Sequence, residues 1–471
     1  MLNLKIYITS ILFLTCVFVF GLESKPRVIV TTDGEADDRA SMVRFLLTSN
    51  EFEVEGMINS SSQFHWQGGT GWNALHPVEW LSDYIDLYGQ VYNNLKLHDD
   101  NFPSPEYLKS VRKVGNISAI GEDDIRTDGA NWIAQVLLDS SDPRPIYLQA
   151  WGGVNTISRA LKIIQEDHPE RMEEVAAKMK LYLIWEQDPS YQEYIRSNWE
   201  HLGMQVIIAD QFDCMAYIWN KVLPGDVQEY FRADFVNTNI KTAHGALCNN
   251  YVVNNDAFNA EGDTPAFLYA IPTGLRSTEN PGFGGWGGRF VNVRNNVWMD
   301  TPPTDAYTHP NGQISIHNSW SKMMENWTSP SDVAIRDNYF KSIWRWLDDV
   351  QNEFAARADW CVMDYASANH HPIVKLTNTP LEIQAKPGEK IELDASESSD
   401  PDCDELFITW WYYEEAGTYS GIPLPSSFKA KTTVKVPDDA EIGDTIHIIC
   451  EVSDAGLPSL TRYQRVVIRV Y

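Results

Sequence analysis

Basic residues are scarce in this chain of 471: 37 Lys and Arg stand against 65 Asp and Glu, a net charge of −28. So acidic a chain repels phosphate backbones and anionic lipid, which excludes nucleic acid and membrane surfaces as partners and favours neutral molecules or cations. Cysteine is scarce too, with six residues and no pairwise spacing of the kind that binds zinc. Cys16 falls in an apolar leader, and Cys214, Cys248 and Cys361 read as buried thiols. For Cys403 and Cys450, both in the C-terminal region, a disulfide in an oxidising compartment and two separate thiols stay open. There are no internal repeats or low-complexity runs, and beyond the leader no stretch is long and apolar enough to cross a membrane. The Gly-rich segment Gly284–Gly288 lacks the Lys-Ser/Thr pair and following helix of a phosphate loop. Arg289 beside it is expected to orient a loop carbonyl or carboxylate.

What is present begins with that leader. Lys5 precedes an apolar run, Ile6–Phe20, broken by Thr9, Ser10 and Thr15, and polar residues start at Glu23. The run is short for a spanning helix and suits the apolar region of a signal peptide. Residues 1–24 are therefore expected to be a cleaved signal peptide, and the mature protein to be secreted or periplasmic. Aromatics make up 12% of the chain, with 17 Trp. Trp faces stack on sugar rings, and large domains also bury Trp in their cores.

The mature chain reads as two unlike halves. From 25 to 368, β-branched runs alternate with helical periods: Arg27–Thr32, Glu53–Ile58, Pro145–Gln149, Lys180–Trp185 and Met204–Ala209 read as strands. Arg39–Ser49 and His76–Tyr88 carry helical period between them. That alternation predicts an α/β domain with a mainly parallel sheet, whose ligands bind outside the carboxyl ends of the strands. From 369 to 471 helical period vanishes. Short alternating runs at Ile391–Asp394, Leu406–Tyr413, Thr432–Val436, Ile446–Val452 and Tyr463–Val470 predict a small all-β sandwich.

The densest chemistry lies in Thr31 to Arg39, directly after the first strand, where Asp33, Asp37 and Asp38 crowd one turn. Carboxylates this close must be solvated, protonated or neutralised by a cation. The plainer alternative is one helix cap with solvent-facing neighbours. Asp400, Asp402 and Asp404 pose a similar choice in the sandwich, between a second calcium loop and a polar turn held by side-chain hydrogen bonds.

The Asp33 segment resembles the DxDPGxDD signature of nucleoside hydrolases, departing from it at Thr31 and at Gly34-Glu35. Ala150 to Leu161 is similar to the family's ALGPLTNIALAL stretch, and Glu261 to Ala266 to its HDPxA. Across nearly the whole mature chain the sequence looks like a bacterial family of cellulose-binding proteins, which joins a nucleoside-hydrolase-like domain to a β-sandwich similar to PKD domains. Glu261–Tyr269, Gly284–Arg289, Phe354–Arg357 and Asn369–Pro372 carry that likeness. The resemblance implies Ca2+ held by Asp33, Asp38, Asp263 and the Asn155 carbonyl, with Asp33 also the catalytic base and Asp37 gripping ring hydroxyls. Gly262 stands where the family has the His that protonates a purine, so purine nucleosides are poor substrates on this reading. An O-linked leaving group still needs an acid, and Glu261, Glu186, Asp188 and His65 are the candidates. Trp66, Trp72, Trp151, Trp185 and Trp286 fall near strand ends and could wall a sugar ring, with Glu186 among the substrate contacts. Two functions follow, a calcium-dependent hydrolase of glycosidic bonds in oligo- or polysaccharides and a non-catalytic carbohydrate-binding protein on the same fold. The carboxylates favour the first and the lost His the second.

Overall fold

A computed structural model describes residues 25–300, 324–421, 423–424 and 426–471. The expected signal peptide, 1–24, lies outside the described residues. Six strands open the chain: β1 (Arg27–Thr32), β2 (Glu53–Asn59), β3 (Arg112–Val114), β4 (Ile146–Ala150), β5 (Met179–Ile184) and β6 (Gln205–Ala209). A two-residue hairpin, β7 (Val253–Asn254) and β8 (Ala257–Phe258), stands apart from the sheet, which β9 (Phe290–Arg294) and β10 (Val297–Asp300) complete. The order is β3-β2-β1-β4-β5-β6-β10-β9, parallel throughout except that β9 runs antiparallel to β10.

Burial on both faces explains why the strands read as unbroken apolar runs rather than as alternations. Val28 and Val30 of β1 pack into one layer with Val43 and Leu46 of α1 (Ala36–Leu47) and Leu81 and Ile85 of α2 (Trp80–His98). Ile29 between them points the other way and joins Ile133 and Ile157 of two helices on the opposite face, Asp128–Leu138 and Asn155–Asp167. The chain runs outward from β1 to β3, then restarts at β4 and runs the other way. The carboxyl ends of β1 and β4 therefore flank the crevice where strand order reverses, the standard ligand position of such sheets.

The C-terminal region forms two further sheets, as expected. One is ordered β11 (Glu382–Ala385), β16 (Thr461–Val470), β15 (Thr445–Asp454), β13 (Leu406–Tyr412); the other pairs β12 (Lys390–Asp394) with β14 (Lys431–Lys435). Leu393, Trp410, Val434, Ile448, Cys450 and Ile468 fill the space between them. Cys450 is buried there while Cys403 is exposed, and both are thiols, so the open pairing is answered without a disulfide. Asp400 Oδ1 accepts the amides of Asp402 and Asp404, and Asp402 accepts from His370, so the turn is hydrogen-bonded; one carboxylate oxygen from each of the three also lies within 4.8 Å of the other two, as a cation loop would need.

The sandwich is packed into the α/β domain, not tethered beside it. Tyr413, Ile449 and Tyr463 belong to the same apolar cluster as Trp286 and Trp346. Arg465, fully buried, donates from Nε to the Leu275 carbonyl at 2.7 Å and from Nη2 to that of Gly284 at 2.9 Å. Burial draws its pKa down to about 9. Arg465→Met strands those two carbonyls, and urea unfolding is expected to show a loss of about 2–4 kcal/mol. An unchanged midpoint would mean that the guanidinium holds nothing together.

Candidate functional site

Thr32 ends β1 at the switch point and Ala36 starts α1, so Asp33 to Glu35 form the connecting turn. Gly34 takes φ +77°, a left-handed conformation that glycine adopts without strain, which turns the chain sharply enough to bring Asp37 and Asp38 back beside Asp33. Asp38 accepts the Thr32 hydroxyl, and Asp33 Oδ1 accepts the Glu35 amide at 3.3 Å. Asp263 arrives from far along the chain, at the head of the short helix Thr264–Leu268. One carboxylate oxygen from each of Asp37, Asp38 and Asp263 lies within 4.8 Å of the other two. Gly152, after β4, closes on Asp33 so tightly that a Cβ there would sit 2.9 Å from the Asp33 Cβ.

Electrostatics single this cluster out. Asp33, Asp38 and Asp263 are at most 2% exposed, and Asp33 Oδ2 and Asp263 Oδ2 have no hydrogen-bond partner. Burial first, then mutual repulsion, pushes the carboxyls of Asp37, Asp38 and Asp263 well above the ordinary range; burial and Glu35 raise that of Asp33. No Lys or Arg ion pair reaches the four among the described residues. Unpartnered, buried, hard oxygen donors at this density fit a divalent cation such as calcium. Asn155, the first residue of its helix and the one whose carbonyl is expected at the cation, is held firmly. Its side chain bonds Ser60, Ser61, Asn116 and Glu122, tying together the loops around the site, and its amide donates to Asp188.

The acids and aromatics expected around the cluster divide. Glu261 is fully buried and holds Arg44 through both carboxylate oxygens, at 2.6 and 2.9 Å, with Thr264 and Tyr251 completing its shell. It is structural. Arg44→Met leaves that charge buried and unpaired, a loss of about 3–5 kcal/mol expected in denaturant unfolding; a normal midpoint would put Glu261 back among the acids. Asp188 is committed to the amides of Asn155 and Ser190, and burial lifts it to about 6. Glu186, raised by burial to about 7, accepts from Gln192 at 2.6 Å and leaves its other oxygen, Oε1, buried without a partner. It does not line the cleft beside the carboxylate turn.

Two of the tryptophans are corrected. Trp151 and Trp286 are 1% exposed: Trp151 packs on Phe45 and Phe267, and Trp286 on Tyr463 of the sandwich, so neither offers a face to a ligand. Trp185 is partly buried, donating to Asp210 and edging onto Phe212. Trp66 is half-buried at the base of a loop that its bridge to Ala74 closes. Trp72, near that loop's tip, is 65% exposed.

Trp72, His65, Glu35, Arg39, His76 and Tyr217 line a cleft of about 500 Å3 against the carboxylate turn. Tyr217, which no sequence signal marked, donates its hydroxyl toward Glu35 at 2.9 Å and Asp37 at 3.3 Å. Burial works against an imidazolium at His65, but Glu35 and Asp33 outweigh it and raise the His65 pKa.

Comparisons with known proteins agree with this architecture. Residues 27–290 match the family described as cellulose-binding Sde182, nucleoside hydrolase-like domain. This chain belongs to that family. Residues 390–470 match its C-terminal domain, described for the cellulose-binding protein Sde0182. Among solved structures, a nucleoside hydrolase-related hypothetical protein from Saccharophagus degradans, described as associated with carbohydrate metabolism, is 31% identical. It overlaps 95% of this chain and 100% of its own, with a TM-score of 0.74. The effector proteins XOO4466 and XopQ are each 8% identical, over 68% of this chain and 95% of theirs, with TM-scores of 0.31 and 0.29 that carry no argument. No curated protein matches. Gly262 leaves room for Asp37: a Cβ there would sit 2.6 Å from Asp37 Oδ2, so any larger residue would require the Asp37 side chain to shift.

Proposed function

We propose that the protein is a calcium-dependent hydrolase of glycosidic bonds in oligo- or polysaccharides, acting outside the cytoplasm. The observation that carries this reading is the pair of buried, unpartnered carboxylate oxygens on Asp33 and Asp263, beside Asp37 and Asp38 at the switch point. A site that only bound a neutral sugar has no use for four uncompensated carboxylates, which destabilise the fold unless they hold a charge. Asp33, Asp38 and Asp263 would hold the cation, which would supply Lewis-acid activation of the attacking water, while the surrounding carboxylates offset the positive charge that develops on the sugar ring. Asp33 takes that water's proton, and Asp37, half-buried at the cleft edge, hydrogen-bonds ring hydroxyls. A carbohydrate ligand accords with the family's cellulose-binding description.

A second reading, carbohydrate binding without turnover, draws on Gly262 in place of a proton donor and on the exposed face of Trp72. One experiment separates them. The purified protein, with calcium or with EDTA, is incubated with cello-oligosaccharides, other plant and algal glycans and nucleosides, and products are read by mass spectrometry. Calcium-dependent sugar release is the expected result. Saturable binding of a glycan with no product over days would favour the second reading.

A further inference from the structure

An alkoxide leaves poorly, so hydrolysis of a sugar–sugar bond needs a proton donor as well as Asp33. Of the four acids marked in the sequence, Glu261 is locked to Arg44 and Asp188 to two amides, and Glu186, though its Oε1 has no partner, does not line the cleft at the carboxylate turn. His65 remains, and its surroundings are those of a donor. Its Nδ1 lies 3.3 Å from the Ala74 carbonyl, which can only accept, so Nδ1 carries a proton. Nε2 then titrates, and it faces Glu35 Oε2 at 3.5 Å with no hydrogen bond of its own. The Ser62 hydroxyl accepts the His65 amide and interacts with Asp33, so one side chain stands between the two groups.

The loop that carries His65 also carries a platform. The Trp66–Ala74 bridge and the Asn73 side chain on the Phe64 carbonyl, at 2.8 Å, brace it. Trp72 packs against Phe64 and His65, with ring centroids 6.0 and 5.2 Å away, while most of its surface stays in solvent. A braced, exposed indole beside a proton donor, on the cleft at the carboxylate turn, is a seat for a leaving sugar.

Resting on the hydrolase reading above, we infer that the cleft between Trp72 and Tyr217 is the leaving-group subsite for a sugar residue, and that His65 is the general acid, positioned by Glu35. In the step, His65 Nε2 gives its proton to the bridging oxygen as that oxygen's bond to the anomeric carbon breaks and keeps its electron pair. Water forms the new bond at that carbon and leaves its proton on Asp33. Exchange with solvent then restores the Asp33 carboxylate and the His65 imidazolium.

The test pairs a poor with a good leaving group: cellopentaose against 2,4-dinitrophenyl β-cellobioside, for wild type, His65→Ala, His65→Gln and Trp72→Ala, all with calcium. Both His65 variants should lose at least 100-fold in kcat/KM on cellopentaose and less than threefold on the aryl glycoside, which needs no proton. Trp72→Ala should raise KM for cellopentaose and spare the aryl substrate. Equal losses on both substrates, or none, would overturn the assignment of His65 while leaving the hydrolase reading intact. Should wild type cleave neither these nor any glycan of the panel above, the hydrolase reading fails, and the general acid with it. The subsite is read separately, as quenching of indole fluorescence by cellopentaose that Trp72→Ala abolishes. Quenching that survives in Trp72→Ala, or is absent in wild type, refutes it.

Discussion

Asp33→Asn is expected to lower turnover of a glycosidic substrate by about 10²–10⁴-fold while glycan and calcium binding persist, weakened. The amide keeps the size and one oxygen donor of the side chain but cannot accept the proton of an attacking water. Asp33 suits that role because its Oδ2 is buried without a partner, whereas Asp38 is occupied by the Thr32 hydroxyl. The close approach of Gly152 leaves no room for the side chain to swing away. Calorimetry with the glycan, run beside a product assay on both proteins, checks the two halves of the expectation. Undiminished turnover in the variant would move the base to Glu35 in the same turn. Loss of binding and turnover together would make Asp33 a ligand and nothing more.

The second large effect is on stability. Without metal, the carboxyls of Asp33, Asp37, Asp38 and Asp263 have pKa values above those of the unfolded chain, because of burial and then one another. Their folded form therefore binds more protons than the unfolded form at every pH from about 4 up through the raised values. Over that window stability must fall as pH rises, by about 1.4 kcal/mol per pH unit for each proton held. In EDTA, this cluster should make the protein melt lower at pH 8 than at pH 5. Calcium reverses the trend, since it binds the carboxylate form: at a hundredfold excess over Kd it adds about 2.7 kcal/mol, more fully at pH 8 than at pH 5, where protons compete. Asp38→Ala should abolish the calcium increment and shrink the pH trend. Thermal melts across pH, with calcium and with EDTA, give the answer; a Tm indifferent to calcium at both pH values would remove the cation from the site.

A protein ending near Ala368 would lose the cover that the sandwich gives the α/β domain. Trp286 and Trp346 are covered by Tyr463, Tyr413 and Trp411 of the sandwich, and Glu353 pairs with Arg462 at 3.0 Å. Removing the sandwich uncovers that apolar surface, and light scattering of such a truncation should show aggregation where the whole chain stays dispersed.

Features that arise from neighbours along the chain were legible before folding. β-Branched runs such as Arg27–Thr32 commit to buried strands because period and propensity act within a few residues. Asp33, Asp37 and Asp38 are brought together by one turn, so their crowding was visible as spacing. The loss of helical period after Asn369 marked the sandwich for the same reason. What distant segments bring was not legible. Glu261 carried every mark of an acid until Arg44, 217 positions away, took both of its oxygens. Trp151 and Trp72 have the same side chain near the same strand ends, yet one is core and the other is 65% exposed, since an indole satisfies either setting. Tyr217 bore no local signal at all, and reaches Glu35 and Asp37 only because β1 and the segment after β6 end on one side of the sheet. Local residue types determined where charge and strand would lie; the order of strands in the sheet decided which of those groups meet, because burial and pairing depend on what arrives from elsewhere in the chain.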